Sequence, residues 1–371
     1  MIDGRATTEG TARYAGRFAP TLSADHYRRL EPLGHLSSLG LGTYLGREDA
    51  VTDDLYRRAL GHALERGLNV IDTAVNYRHQ RSERVIGAVL ADLVKRGELR
   101  RDEVVVATKG GYIPLDADTA LDPRAYFTET YLRPGIVQPD DVVGGAHCMT
   151  PRYLADQIER SRQNLGVATI DIYYVHNPES QLDEIERPLL LERLRDAFTM
   201  LEQQVGEGKI GCYGTATWNG YRQAPTEPDY LSLEEVVGAA RAVAGDRHHF
   251  KVVQLPYNLG MTEAFTRANQ RVGKDTVPAL EAARRLGVYV MASASVHQGQ
   301  LTHNLPPMLA EFLPGLETDA QRALQFVRST PGVGTALVGM KTIAHVEENA
   351  GVAATAPMPW NEFGRLFTAG S

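Results

Sequence analysis

The stretch IDIYYVHNPESQLDEIERPLLLERLRDAFTMLEQQVGEGKIGCYGT, residues 170–215, contains the pattern that decides the fold. It begins with the nearly continuous apolar run Ile170–His176 and ends with a second such run, Ile210–Thr215. Runs of this kind are typical of strands buried on both faces of a parallel sheet. Between them, apolar residues recur at the spacing of one helical face: Leu194, Phe198, Leu201 and Val205. The stretch therefore predicts a strand, a helix and a second, parallel strand.

The same alternation of short apolar runs and helical stretches extends over most of the chain. The runs predicted as strands are Leu39–Thr43, Asn69–Thr73, Glu103–Lys109, Ile170–His176, Ile210–Thr215, Lys251–Leu255, Val288–Ala292 and Thr335–Gly339. Strands that alternate with helices in this number predict an α/β fold, the closed (β/α)8 TIM barrel. A doubly wound open sheet is the alternative, but no G-x-G-x-x-G motif follows the first strand.

The length of 371 residues exceeds the roughly 250 that such a barrel needs. We expect a single barrel domain over residues 1–371. Its predicted parts are an N-terminal extension at 1–35, the barrel at 36–354 and a C-terminal tail at 355–371.

Two segments outside the alternating pattern are expected to lie at opposite ends of the barrel. Thr11–Phe18 and His26–Leu30, in the extension, are predicted to form a hairpin that closes the barrel bottom. Residues 110–150 form a long loop after the third strand, rich in Gly, Pro and Asp. Loops in this position often determine which substrate a barrel accepts.

Composition excludes several classes of protein. The chain has 39 Lys and Arg against 46 Asp and Glu, a net charge of −7, and 43% of its residues are hydrophobic. These values exclude intrinsic disorder and disfavour electrostatic binding of nucleic acid. With only Cys148 and Cys212, the chain is not a disulfide scaffold. It has no apolar run of about 18 residues and no secretory signal at its N-terminus, so we expect a cytoplasmic protein without a membrane partner.

Polar residues interrupt the predicted strands where each one ends. Asp72, Lys109 and His176 lie at the ends of the second, third and fourth strands, and Gln254 lies in the sixth. In a parallel barrel these ends meet at one mouth, where functional groups project. Singly, Asp72 could be a cap, Lys109 a surface lysine and His176 a satisfied core histidine. Their coincidence on several strands favours a functional site.

The motifs around these residues resemble those of the aldo-keto reductase superfamily, from about Tyr27 to Val352. The matching segments are DTAVNY (72–77) with Ser82-Glu83, ATKGG (107–111), YYVHNPE (173–179), GCYGTATW (211–218), VVQLPYN (252–258) and VGMKTIAHVEEN (338–349). The resemblance implies a (β/α)8 barrel and NAD(P)(H)-dependent interconversion of a carbonyl and an alcohol.

The chemistry of such a reaction assigns roles to four catalytic residues. Hydride transfer to a carbonyl carbon leaves an alkoxide that must receive a proton, and the Tyr77 hydroxyl can donate it. A free phenol has a pKa of about 10, and a nearby ammonium lowers it by about 1–3 units, so we expect Lys109 beside Tyr77. Asp72 would hold Lys109 through an ion pair. His176 would donate a hydrogen bond to the substrate oxygen. The alternative for Tyr77 is a partly buried loop aromatic.

The resemblance also implies a set of cofactor contacts. They are Gly42, Thr43, Tyr44, Asp72, Thr217, Gln254, Ser293, Gly299, Gly339, Lys341, His345 and Asn349. The chain has Ala216-Thr217 where the family usually has Ser-Asn, and Ser293 where an aromatic residue commonly stacks on the nicotinamide. Lys341 favours NADP(H) over NAD(H), because a basic residue in this loop selects the 2′-phosphate; the alternative is a solvated lysine.

Residues just past the strand ends are candidates for substrate contacts. These are Tyr44, Tyr112, Asn177 and Trp218, each of which could instead pack against its own loop. RHQR (78–81) could contact an anionic or hydroxyl-rich substrate or form a solvated turn. His147-Cys148 could face the site or lie idle. No H-x-H or C-x-x-C pair indicates a metal site, which disfavours a divalent-metal hydrolase.

Three functions are compatible with this sequence. The first is NADP(H)-dependent reduction of an aldehyde or ketone with Tyr77 as the proton donor. The second is NAD(P)-dependent oxidation of a sugar hemiacetal with Tyr77 as the base. The third is a non-redox or cofactor-sensing regulatory protein on the same fold, which the departures at Ala216 and Ser293 motivate. The expected partner in the first two is a small carbonyl or sugar-like molecule; the oligomeric state stays open.

Overall fold

A closed barrel of eight parallel strands forms the centre of the molecule, which confirms the predicted fold. The computed structural model describes residues 1–367. Its strands are β1 Tyr27–Leu30, β2 Gly34–Ser37, β3 Leu39–Gly42, β4 Val70–Asp72, β5 Val105–Gly110, β6 Ile170–His176, β7 Ile210–Ala216, β8 Phe250–Pro256, β9 Gln270–Val272, β10 Asp275–Val277, β11 Tyr289–Ser293 and β12 Thr335–Gly339. The barrel contains β3 to β8, β11 and β12, and closes between β12 and β3.

Helices surround the barrel and connect its strands. They are α1 Thr8–Phe18, α2 Ala50–Glu65, α3 Arg81–Lys95, α4 Pro123–Phe127, α5 Pro151–Leu165, α6 Arg187–Gly206, α7 Leu233–Ala244, α8 Glu263–Thr266, α9 Ala279–Leu286, α10 Met308–Phe312, α11 Asp319–Ser329, α12 Ile343–Ala350 and α13 Trp360–Phe363. On α6 the predicted apolar face is buried at Leu194, Phe198 and Leu201, while Val205 is partly exposed. Within residues 1–367 no helix combines the length and the hydropathy needed to span a bilayer.

Apolar side chains fill the barrel interior, so it is a packed core rather than a channel. The interior cluster includes Val70, Val105, Ala107, Ile172, Tyr174, Cys212, Val252, Met291 and Leu337. The parallel register sets polar strand ends next to one another: Asp72 pairs with Gly42 and Ala107, and Ala216 pairs with His176 and Gln254. A rigid, filled barrel thereby holds these ends at one mouth.

The N-terminal extension differs from the prediction. Thr11–Phe18 is not a strand, because it lies within helix α1, which Thr7 caps by accepting the Gly10 N–H. Tyr14 anchors the helix to the barrel: its buried side chain reaches the end of α2 and donates its hydroxyl to the Leu64 carbonyl. A hairpin does form, but it pairs β1 with β2.

Two connections at the mouth of the barrel carry structure that the sequence did not reveal. The loop after β5 brings its ends together, since Tyr112 and His147 form an isolated antiparallel bridge. After β8, the short strands β9 and β10 form a hairpin. Strands of three residues contain too few alternations for a periodic signal.

Candidate active site

A cleft of about 760 Å³ opens at the carboxyl ends of the barrel strands. Its volume lies within the range of ligand-binding pockets, roughly 300–1,000 Å³. The predicted residues that line it are Gly42, Thr43, Tyr44, Asp72, Tyr77, Tyr112, His176, Asn177, Thr217, Trp218, Gln254, Ser293, Gly299, Gly339, Lys341, His345 and Asn349. The remaining predicted residue, Lys109, does not line the cleft because its side chain is fully buried beneath it.

A buried ion pair lies at the base of the cleft. The Lys109 ammonium, on β5, is 2.7 Å from Oδ2 of Asp72, on β4, and 2.8 Å from the Thr73 carbonyl oxygen. Burial acts to lower the pKa of Lys109, but Asp72 and Tyr77 outweigh burial, and the pKa is raised. Lys109 therefore stays positively charged.

Tyr77 lies above this pair, on the turn that follows β4. The Lys109 nitrogen is 5.0 Å from the centroid of the half-buried Tyr77 ring, and the exposed Tyr44 ring contacts that ring edge-on. The expected lowering of the Tyr77 pKa is wrong in direction. Burial raises the pKa of Tyr77, and the Lys109 ammonium only partly offsets this effect. Because the loss of hydration destabilises the phenolate more than the Lys109 ammonium stabilises it, Tyr77 retains its proton.

His176, at the end of β6, faces Tyr77 across the base of the cleft. The two ring centroids are 6.1 Å apart. Burial lowers the pKa of His176 well below its usual value, and the Lys109 charge acts in the same direction, so the imidazole is neutral. Its Nδ1 is buried without a hydrogen-bond partner among the described residues, which leaves Nε2 to face the cleft.

Gln254, on β8, has a contact that sequence reasoning missed. Its Nε2 donates to Oδ1 of Asp72 at 2.8 Å, so both carboxylate oxygens of Asp72 are engaged. The Gln254 amide keeps its carbonyl oxygen and one N–H for another partner.

The other end of the cleft is built mainly from loops. Lys341 is half-buried and His345 is exposed, while the Asn349 side chain is buried on α12. Gly42 and Gly339 are paired on β3 and β12, and a Cβ on Gly339 would meet only Leu45, at 3.9 Å. The paired glycines leave a strip of bare backbone that a ligand can approach closely.

This lining fits a nicotinamide dinucleotide. Amides at Gln254 and Asn349 and hydroxyls at Thr217 and Ser293 offer partners for a carboxamide, ribose and adenine, and Lys341 offers a cation for phosphate. Glu348 lines the cleft beside Lys341, so this part of the cleft carries both a negative and a positive charge.

Several residues that line the cleft were not predicted. They are Leu45, Asn76, Ala216, Ala294, Ser295, Val296, Gln298, Thr302, Ala320, Leu337, Val338 and Glu348. Asn76 could have been found, since it precedes Tyr77 within DTAVNY. The loop after β11 has left-handed backbone at Ala294 and Gln298, which no local sequence signal predicts for these residues.

RHQR (78–81) begins as a turn, as one of the two interpretations held, but the turn is only partly exposed to solvent. Arg78, His79 and Gln80 all have left-handed backbone, with φ of 49°, 50° and 73°. Arg78 is buried and donates to Oδ1 of Asp53 at 2.6 Å, so the turn is not solvated at this residue. The cleft lining does not include these residues.

Glu179 holds the loop after β7. Its Oε1 accepts the backbone N–H of Trp218 at 2.6 Å and of Asn219 at 3.1 Å, while Oε2 is buried without a partner among the described residues. Burial raises the pKa of Glu179 to about 7, although these backbone N–H groups oppose the shift. Trp218, which lines the cleft, depends on this carboxyl for its backbone position.

Two relatives of known activity match about half of the chain. The NADH-specific methylglyoxal reductase of Escherichia coli (strain K12) is 27% identical over 186 residues, which are 49% of this chain and 48% of that protein. The D-threo-aldose 1-dehydrogenase of Pseudomonas sp is 30% identical over 165 residues, 44% of each chain. The match thus spans about half the length of each relative.

Solved structures show the same fold at low sequence identity. An aldo/keto reductase from Klebsiella pneumoniae in complex with NADP and acetate has a TM-score of 0.60 and 22% identity, covering 93% of this chain and 95% of that one. The glycerol dehydrogenase from Gluconobacter oxydans has a TM-score of 0.65 and 19% identity, with 94% and 95% covered. The sequence model of the aldo/keto reductase family matches residues 38–308, more than half of the chain. The chain therefore belongs to the aldo/keto reductase family.

Proposed function

We propose that this protein is an NADP(H)-dependent oxidoreductase that reduces an aldehyde or ketone, with Tyr77 as the proton donor. The observation that carries the proposal is the buried Asp72–Lys109 ion pair beneath a protonated, half-buried Tyr77, with neutral His176 facing it. The charge, the proton donor and the hydrogen-bond donor required to reduce a carbonyl meet at one point of the cleft.

In the proposed mechanism, a bound nicotinamide supplies the hydride. Tyr77 donates its hydroxyl proton to the substrate oxygen, where negative charge develops. Lys109 lies beneath the ring and stabilises the phenolate that remains, while Asp72 keeps the ammonium in place. His176 donates a hydrogen bond from Nε2 to the same oxygen, since its Nδ1 is buried without a partner.

We assign each ligand to a part of the cleft from the residues that line it. Gly42, Thr43 and Gln254 would hold the nicotinamide half of the cofactor, and Lys341 and Asn349 the adenosine half. Lys341 supports NADP(H) over NAD(H), as does the NADP complex of the Klebsiella relative; the relative from Escherichia coli is NADH-specific. The substrate would lie among Tyr44, Tyr112, Asn177 and Trp218.

Oxidation of a sugar hemiacetal is a second candidate, favoured by the 30% identity with D-threo-aldose 1-dehydrogenase. It requires Tyr77 as a base, and the raised pKa of Tyr77, which results from burial, disfavours this role at neutral pH. Comparing rates on carbonyls plus reduced cofactor with rates on aldoses plus oxidised cofactor separates the two directions.

Removal of the Tyr77 hydroxyl group tests the proposed function. A fluorescence titration with NADPH and NADH, followed by a panel of carbonyls at the absorbance of the reduced cofactor, establishes binding and turnover. In Tyr77→Phe we expect kcat to fall by about 10²–10⁴-fold while cofactor affinity is unchanged. An unchanged kcat would refute the role of Tyr77. Failure of the wild-type protein to bind either nucleotide would favour a non-redox function.

A further inference from the structure

We propose that His147, on the long loop after β5, is a positioning residue that holds His176 and Tyr112 in place for the reaction. The inference rests on the proposed function, and it assigns a role to a loop that the reaction chemistry itself does not use.

The hydrogen bonds of His147 determine its tautomer. Its Nε2 is 2.7 Å from the backbone carbonyl oxygen of His176, which can only accept, so Nε2 carries the proton. Nδ1 is 2.8 Å from the Gln181 side-chain nitrogen and accepts from it. The carbonyl of Gln181 in turn accepts from Arg193 on α6. These three side chains anchor the backbone of His176 to the outer helix.

Burial keeps His147 in the neutral form that these contacts require. Its side chain is 2% exposed. Burial lowers the pKa of His147 to about 4, and Arg193 contributes in the same direction. A second proton on Nδ1 would face the Gln181 N–H and break that contact.

Close backbone packing leaves little freedom around this contact. Gly111 accepts the Cys148 N–H at 2.8 Å, which fixes the end of the loop beside the end of β5. A Cβ on Gly111 would lie 2.6 Å from the His176 carbonyl oxygen and 2.9 Å from Nε2 of His147. Only glycine permits Gly111 to lie this close to His176 and His147. The backbones of Gly111 and His176 therefore determine the position of His147.

Tyr112 connects His147 to the substrate side of the cleft. Its ring contacts both histidine rings edge-on, with centroids 5.1 Å from each. Its hydroxyl is 3.1 Å from the Ser180 hydroxyl and accepts from the Asn177 amide at 3.2 Å. Since Nδ1 of His176 has no partner among the described residues, ring packing and the anchored backbone determine how that imidazole is oriented.

Two substitutions at one position and a matched control test the role. His147→Phe removes both hydrogen bonds and should lower kcat for carbonyl reduction by about 10–100-fold, the scale of a small misplacement of reacting groups. NADPH affinity should change by less than about twofold, because His176, Gln181 and Tyr112, which His147 contacts, are not proposed cofactor contacts. His147→Gln keeps an N–H donor for the His176 carbonyl and should recover most of the loss. His248→Phe, a similarly buried histidine before β8, should leave kcat unchanged.

Two results of these activity measurements would overturn the proposal. A folded His147→Phe variant with the wild-type kcat would overturn it, and so would equal losses in the Phe and Gln variants. A measurement independent of activity is ¹⁵N NMR of the histidine rings in the wild-type protein at pH 6. We expect His147 to be neutral with its proton on Nε2. A charged ring, or a proton on Nδ1, would overturn the positioning role even if reductase activity is found.

Discussion

The two ends of the cleft are built in different ways. At the end where we propose proton transfer, the proton-transfer end, Asp72, Lys109 and His176 project from the ends of neighbouring strands β4, β5 and β6. Asp72 and Lys109 are buried, and His176 is half-buried. At the cofactor end, Lys341 and His345 lie on the loop and helix after β12, with much of their surface in solvent. Charges in the first region interact at low dielectric, whereas those in the second are screened.

This difference predicts how each end responds to substitution. At the proton-transfer end, Asp72 accepts hydrogen bonds from both Lys109 and Gln254, so replacing Asp72 or Lys109 leaves a buried polar group unpaired. At the cofactor end, Lys341 and His345 keep much of their surface in water, so replacing either one leaves no buried group unpaired. We therefore expect substitutions to have large effects at the first end and modest ones at the second.

The strongest test of this comparison is Lys109→Met, which leaves the Asp72 carboxylate buried beside an apolar chain. We expect the free energy of unfolding to fall by about 3–5 kcal/mol, and carbonyl reduction to be lost. Urea unfolding followed by circular dichroism measures the first effect. Lys109→Met combined with Asp72→Asn should regain most of the stability but no activity. If Lys109→Met alone were as stable as the wild-type protein, the expected difference between the two ends of the cleft would be wrong.

A second test uses Glu179, which holds the loop after β7. Its folded pKa of about 7 lies above the usual value for an unfolded Glu, about 4.3. The folded state therefore binds more protons between these values, and the wild-type protein should lose stability as pH rises through this window. Glu179→Gln removes the ionisation, so its stability relative to the wild type should increase by about 3 kcal/mol from pH 4 to pH 8. If the unfolding free energies of Glu179→Gln and the wild type differed by the same amount at pH 4 and pH 8, this explanation would be excluded.

The smallest effect is expected at Lys341, in the screened region. Lys341→Ala should weaken NADPH binding by about tenfold, or roughly 1.4 kcal/mol, with little change for NADH. The loss should shrink at high salt. Lys274→Ala, an exposed lysine in the β9–β10 turn, is the matched control. Equal losses for the two nucleotides would show that Lys341 does not select the 2′-phosphate.

Sequence patterns predicted more at the proton-transfer end than elsewhere. Asp72, Lys109 and His176 end apolar runs whose period identifies buried strands, and parallel strands in a barrel share one end. Neighbours across the sheet then follow from the topology alone. In contrast, Thr11–Phe18 was predicted as a strand and is a helix, whose side chains contact Leu33, Leu64 and Asp102 in other parts of the chain.

The amino-acid sequence by itself determined the barrel, the position of its mouth and the polar residues that meet there, because these depend on local periodicity and strand order. Only the tertiary structure decided the protonation of Tyr77, the contact of Gln254 with Asp72 and the tautomer of His147. Each of these depends on how much water is excluded and on which groups from distant segments lie within hydrogen-bond distance. Burial and long-range contact arise from packing of the whole chain, and no stretch of sequence contains them.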